Sequence, residues 1–184
     1  MGNFCSELSK QSISLPATSL PAYTLKSRYP SESVEEHFNN ICEDFSIINE
    51  LDYCECEREA IDLFNILDIF ITNHKIEEVI EIEYMYSLDS LFYITPILLD
   101  YKRIHLFYKF LEWTKPSKFL LAYSNNSERT PCDIREIMNY ASNRNYAYKC
   151  VKLIWEHVDR SKRLTWSERY GPQFIERVEC FLEK

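Results

Sequence analysis

Apolar residues recur at helical spacing through most of the chain after residue 33. Val34, Phe38, Ile41, Phe45 and Ile48 follow one another at intervals of 4, 3, 4 and 3, which places them on one face of a helix. Ser33-Val34-Glu35-Glu36 in front of them fits the capping box S-x-x-E, so order is predicted to begin at Ser33. His37 lies beside the stripe and reads as boundary packing. A second helix follows from Ala60, Leu63, Phe64, Leu67, Phe70 and Ile71, and is interrupted at Asn73 and His74. Ile76, Val79 and Ile80 open a third, with Glu77, Glu78, Glu81 and Glu83 on its outer side. Near the end, Gly171 stops one segment and Pro172 opens the next at N1, where its missing N–H is harmless. Phe174, Ile175, Val178, Phe181 and Leu182 form that last helix's apolar face, and Trp155 and Trp166 read as core. The pattern predicts an all-α domain over residues 33–184, built from antiparallel helix pairs with short loops.

Residues 7–32 lack either periodicity. They are rich in Ser, Thr and Pro, and Ser14-Leu15-Pro16-Ala17 recurs as Ser19-Leu20-Pro21-Ala22. Pro16, Pro21 and Pro30 withhold backbone donors. Such a stretch reads as a flexible tether, about 25 residues long and able to reach tens of ångströms. The alternative is that Leu15, Leu20, Tyr23 and Leu25 dock on the domain.

A repeat begins near Leu88. Ile94-Thr95-Pro96-Ile97-Leu98-Leu99 is echoed by Arg129-Thr130-Pro131-Cys132-Asp133-Ile134, with the threonines 130 − 95 = 35 residues apart. Each Thr-Pro pair precedes a short apolar stretch and then a longer one. The longer stretches hold Leu106, Phe107, Phe110 and Leu111 in the first unit, and Ala147, Cys150, Val151, Ile154 and Trp155 in the second. Thr is expected to cap each short helix, with Pro at N1. Over residues 88–158 the chain resembles a degenerate ankyrin repeat, whose period is about 33 and whose first helix opens with T-P-L-H-x-A. Asp100 and Arg135 stand where that pattern has alanine, and its turn glycines are absent. Leu111 corresponds to Ile154, an offset of 154 − 111 = 43, so about eight residues are added around Ser142-Asn143-Arg144-Asn145. The alternative is an irregular helical bundle with two Thr-Pro helix starts. The resemblance implies stacked helical hairpins and a protein-binding surface.

Composition supports the helical reading. The only glycines are Gly2 and Gly171, too few for a hairpin-rich β protein or a Gly-rich phosphate loop. The net charge of −8 is unevenly distributed. Residues 31–99 carry 17 acids against Arg58 and Lys75, so 2 − 17 = −15, whereas residues 100–184 carry 16 bases against 11 acids, so 16 − 11 = +5. The acidic half argues against nucleic acid and against flat contact with anionic lipid. Seven cysteines, an odd number, without a secretory h-region point to reduced cytosolic thiols. Tyr53-Cys54-Glu55-Cys56 is not zinc spacing, and no metal or cofactor site is expected. No apolar run is long enough to span a bilayer.

The most specific signal is Met1-Gly2-Asn3-Phe4-Cys5-Ser6, which fits M-G-x-x-x-[ST]. Gly2 is the candidate for N-myristoylation and Cys5 for S-palmitoylation. One myristoyl chain alone gives reversible binding of roughly 10⁴ M⁻¹, and a second acyl chain makes it lasting. The stretch resembles the dual-acylation start of peripheral eukaryotic signalling proteins. The histidines, His37, His74, His105 and His157, form no H-E-x-x-H, and no G-x-S-x-G or P-loop is present. Cys132 or Cys150 with His105 or His157 are the remaining nucleophile candidates. The expectation is a non-enzymatic adaptor that binds protein partners at the cytoplasmic face of a membrane, tethered through Gly2 and Cys5. The alternative is a soluble helical structural or regulatory protein, including a viral or bacterial effector, without a lipid anchor.

Overall fold

Every regular element among the described residues is a helix. The computed structural model describes residues 33–50, 57–77, 92, 94–140 and 143–183. The tether, Cys54 and Cys56, and most of the helix predicted from Ile76 lie outside them. Helices α1 (Val34–Glu50) and α2 (Glu57–Asn73) come first. A helical run over 94–100 (α3) precedes α4 (Ile104–Thr114). Then follow α5 (Lys118–Ser124), α6 (Thr130–Met138), α7 (Arg144–Glu156), α8 (Arg160–Tyr170) and α9 (Pro172–Leu182).

The stripe on α1 is the buried face it was predicted to be: Phe38, Ile41, Phe45 and Ile48 are all in the core. Ser33 caps the helix by accepting from the Glu36 N–H at 3.2 Å. Phe38 stacks on Phe70, and Phe45 meets Phe64, so α1 and α2 run antiparallel. α2 in turn lies beside α4, and these two run parallel. Arg103 sits over the Phe64 ring, Lys109 pairs with Asp68, and Trp113 meets Phe70. α7 continues the layer, with Tyr146 beside His105 and Lys149 beside Tyr108. α4 is therefore flanked on both sides, and Ile104, Leu106, Phe107, Phe110, Leu111, Trp113 and Thr114 are all buried. A helix apolar around most of its circumference belongs in such a central place.

The two Thr-Pro units fold alike at their starts and diverge afterwards. Thr95 and Thr130 are both buried. Neither acts as the expected cap. Thr130 already belongs to α6, the N-cap is Arg129, and no side chain caps the helix. Each hydroxyl instead donates backwards to a carbonyl, Thr95 to Phe92 and Thr130 to Tyr123. A buried hydroxyl needs an acceptor, and a carbonyl with two lone pairs can take it: the Tyr123 carbonyl accepts from the Asn126 N–H as well as from Thr130. The long helices α4 and α7 start 144 − 104 = 40 residues apart, whereas the threonines are 35 apart. Part of the extra length precedes α7: α4 starts four residues after α3 ends at 100, and α7 starts six residues after α6 ends at Met138.

The polar turn at Ser124–Glu128 acts as a connector. Asn125 Nδ2 donates to the His157 carbonyl at 3.0 Å, its Oδ1 accepts from the Asp159 N–H, and Tyr170 donates to the Ser127 carbonyl. These bonds fasten the turn to the ends of α7 and α8. α8 opens with Arg160, Lys162 and Arg163, the wrong sign for its own macrodipole. Arg163 serves α7 instead, donating to the Trp155 carbonyl at 2.8 Å and lying 4.4 Å above the Trp155 ring. Gly171, at φ 86, separates α8 from α9, and Pro172 begins α9 as predicted. Trp166 packs between Trp155 and Phe174, completing the core.

Candidate functional site

Gly2 and Cys5, the predicted lipidation residues, lie outside the described residues. The thiol–imidazole candidates are within them. Cys150 is buried, its Sγ donates to the Ile104 carbonyl at 3.8 Å, and burial pushes its thiol well up from the ordinary value. It is a core thiol kept protonated, unsuited to attack. Cys132 is exposed and donates to the Glu128 carbonyl at 3.6 Å. His157 Nδ1 is engaged with the Leu153 carbonyl at 2.8 Å. Among the described residues no three His, Cys, Asp or Glu side chains gather as a metal site, and no helix is long and apolar enough to cross a membrane.

The chemistry that the fold does assemble is on the outer face of α2, α4 and α7. Lys149 Nζ lies 5.3 Å from the Tyr108 ring and 5.3 Å from the Tyr146 ring, a cation held against two aromatic faces. His105 meets the edge of Tyr146 at 6.3 Å. The Tyr108 hydroxyl donates to Glu112. That bond, helped by partial burial, holds the phenol proton up to about 12. Lys109 Nζ reaches Asp68 across the α2–α4 seam at 2.8 Å. Sequence reasoning singled out His105 alone from this group. The signal was present as matched spacing: His105 and Tyr108, like Tyr146 and Lys149, are three apart and so share a helix face. What a sequence lacks is the fact that these two faces abut.

A second polar cluster is interior. Tyr123 donates to Asp133 Oδ2 at 2.6 Å, and Arg129 Nε donates to the same oxygen at 3.1 Å. Burial raises the Asp133 carboxyl above its ordinary value, against the opposing pull of both donors. Burial and the neighbouring carboxylate push the Tyr123 phenol well up. The cluster joins α5 to α6 and reads as structural. A third feature, an open groove of about 670 Å³ between α8 and α9, is lined by Leu164 and Ile175 with Arg160 and Arg163 against Glu176 and Glu179. Its formal charges cancel.

Comparison with known proteins adds no relative. No family model matches the chain, and no curated protein or solved structure does. The class that the geometry defines is an all-α protein.

Proposed function

We propose that the chain is a membrane-tethered, non-enzymatic adaptor. Gly2 carries myristate and Cys5 a second acyl chain, residues 7–32 form the tether, and the helical domain takes a protein partner at the cytoplasmic face of the membrane. The two Thr-Pro units, with α4 and α7 lying side by side, support the ankyrin-like stacked-hairpin reading of residues 88–158. The observation that carries the binding role is the outer face of α2, α4 and α7. There Tyr108, Tyr146 and Lys149 are held against one another at the surface. Preorganised aromatic and cationic side chains lose little entropy on contact and are the residue types on which interfaces concentrate their binding energy.

Metabolic labelling with an alkyne myristate tests the anchor, and proximity labelling tests the face. The expected result is label on the wild type, none on Gly2→Ala, and loss of membrane neighbours with that variant. Lys149→Glu should keep the membrane neighbours and lose the partner. An unlabelled wild type would leave the soluble regulatory reading in its place.

A further inference from the structure

α8 and α9 are joined by Gly171 alone, and an open groove of about 670 Å³ runs between them. Its two walls are helix faces. Arg160, Leu164 and Ser167 recur on α8 at spacings of 4 and 3, and Pro172, Ile175 and Glu179 recur on α9 at 3 and 4. Each trio therefore shares one side of its helix. Leu164 is 60% exposed there, whereas Trp166, two residues on, is fully buried. At 3.6 residues per turn the two lie about 200° apart round α8. The helix sends its tryptophan into the core and holds its leucine out in the groove, which the half-buried Ile175 lines from the other side.

The walls carry opposite charge. α8 contributes Arg160 and Arg163, and α9 contributes Glu176 and Glu179. Among the described residues no ion pair crosses from one wall to the other. Arg163 is committed to α7 through the Trp155 carbonyl and ring. Arg160, Glu176 and Glu179 are exposed. A face with an apolar lining between a cationic and an anionic wall is complementary to itself. A two-fold axis along the groove lays α8 of one copy on α9 of the other, arginine on glutamate. An axis across the groove lays α8 on α8 and sets arginine against arginine, so charge selects the first. The N-terminal segment of the chain is a poorer occupant: residues 11–25 hold no charged side chain and would cover both walls without pairing them.

We propose that two copies of the chain pair through this groove about a two-fold axis. Leu164 of each copy seats against Pro172 and Ile175 of the other, and Arg160 of each lies over Glu176 and Glu179 of the other. The groove has nine lining residues, well under the roughly 20–30 a side of a stable complex, so the pairing is weak and reversible. The dimer stands independently of the lipid anchor and of the partner face proposed above. One consequence rests on the adaptor reading: pairing sets two myristoyl groups on one particle, and marginal attachment becomes bivalent.

The experiment is sedimentation velocity on the full, unacylated chain from about 1 to 500 μM. The expected result is a weight-average mass that climbs from 22.1 kDa towards twice that value. Leu164→Glu should hold the chain at monomer mass throughout. Arg160→Glu should weaken self-association roughly tenfold or more, because each substitution enters a two-fold dimer twice. Glu176→Arg together with Glu179→Arg should do the same. Mixing these two charge-reversed chains should restore a dimer, since both contacts are then attractive again. All four side chains are exposed, and unchanged circular dichroism checks that each variant is folded. A wild type that stays monomeric overturns the proposal; if hydroxyl-radical footprinting then finds Leu164 shielded, the groove belongs to the chain's own N-terminal segment. A dimer indifferent to Leu164→Glu and Arg160→Glu is formed elsewhere on the molecule and overturns it equally. Weakening by both charge reversals without rescue on mixing refutes the placing of α8 on α9.

Discussion

Replacing Tyr123 with Phe removes one oxygen from the interior and leaves the ring. The ring keeps its neighbours Phe92, Phe107 and Phe119, so the packing term is close to nil. What is lost is the hydrogen bond to Asp133 Oδ2 at 2.6 Å, leaving Arg129 Nε at 3.1 Å as the remaining donor to that oxygen. A hydrogen bond to a charged buried group contributes about 1.5–3 kcal/mol. For a chain of this size the melting temperature should fall by roughly 5 °C, at about 2–4 °C per kcal/mol. The pH dependence gives a sharper test. Burial raises the Asp133 pKa in the folded state, and Tyr123 opposes that rise. Without the hydroxyl, Asp133 moves further up. A carboxyl raised by folding favours the folded state when protonated. Its contribution is complete below the unfolded value and is lost as pH rises through the folded value. The Phe variant should therefore lose most stability at neutral pH and least in mild acid. Urea unfolding of both proteins across that range measures this, with unchanged m-values as the check that only stability has moved. Parallel curves, or a neutral-pH loss within about 0.5 kcal/mol, would refute the account of Asp133 as a buried carboxylate sustained by its donors.

Three further outcomes follow from particular contacts. Gly171→Ala should destabilise by about 1–3 kcal/mol, because φ 86 with ψ 152 is a region that essentially only glycine occupies. The new Cβ would approach Gln173 Oε1 to 2.6 Å, but that side chain can turn away, so adding Gln173→Ala should not rescue stability in chemical denaturation. Arg135→Ala should lose about 0.5–1 kcal/mol and hasten hydrogen exchange in α9, since the guanidinium lies 5.1 Å from the Tyr170 ring and 5.5 Å from Phe174. Under native conditions iodoacetamide should label Cys132 and Cys180, which are exposed, and reach Cys42 and Cys150 only on unfolding. Burial raises both of the latter thiols, and peptide mass spectrometry reads the difference.

The sequence reading was most successful where the physics is local. The α1 stripe, the Ser33 cap and the Gly171-Pro172 break each depend on residues within four positions of one another, and all three are present in the structure. Thr130 shows the limit. Thr-Pro marks the helix start correctly, yet the hydroxyl goes to Tyr123, seven residues back, because α5 packs close enough to offer a buried carbonyl. Arg135 looked like a departure from a repeat pattern where a small residue was expected. Its use became visible only once α8 and α9 had brought Tyr170 and Phe174 beneath it.

By itself the sequence determined that the chain is helical, where several helices begin and end, and which residue of each faces inward. Periodicity at 3.6 residues and the chemistry of helix ends are properties of a single segment. The tertiary structure alone decided that α4 is the central helix, that α2, α4 and α7 share an outer face, and that a groove lies between α8 and α9. Lys109 and Asp68 are 41 residues apart, and Cys150 and Ile104 are 46 apart. No local spacing encodes such pairings, because they depend on which amphipathic faces bury each other when the helices come together.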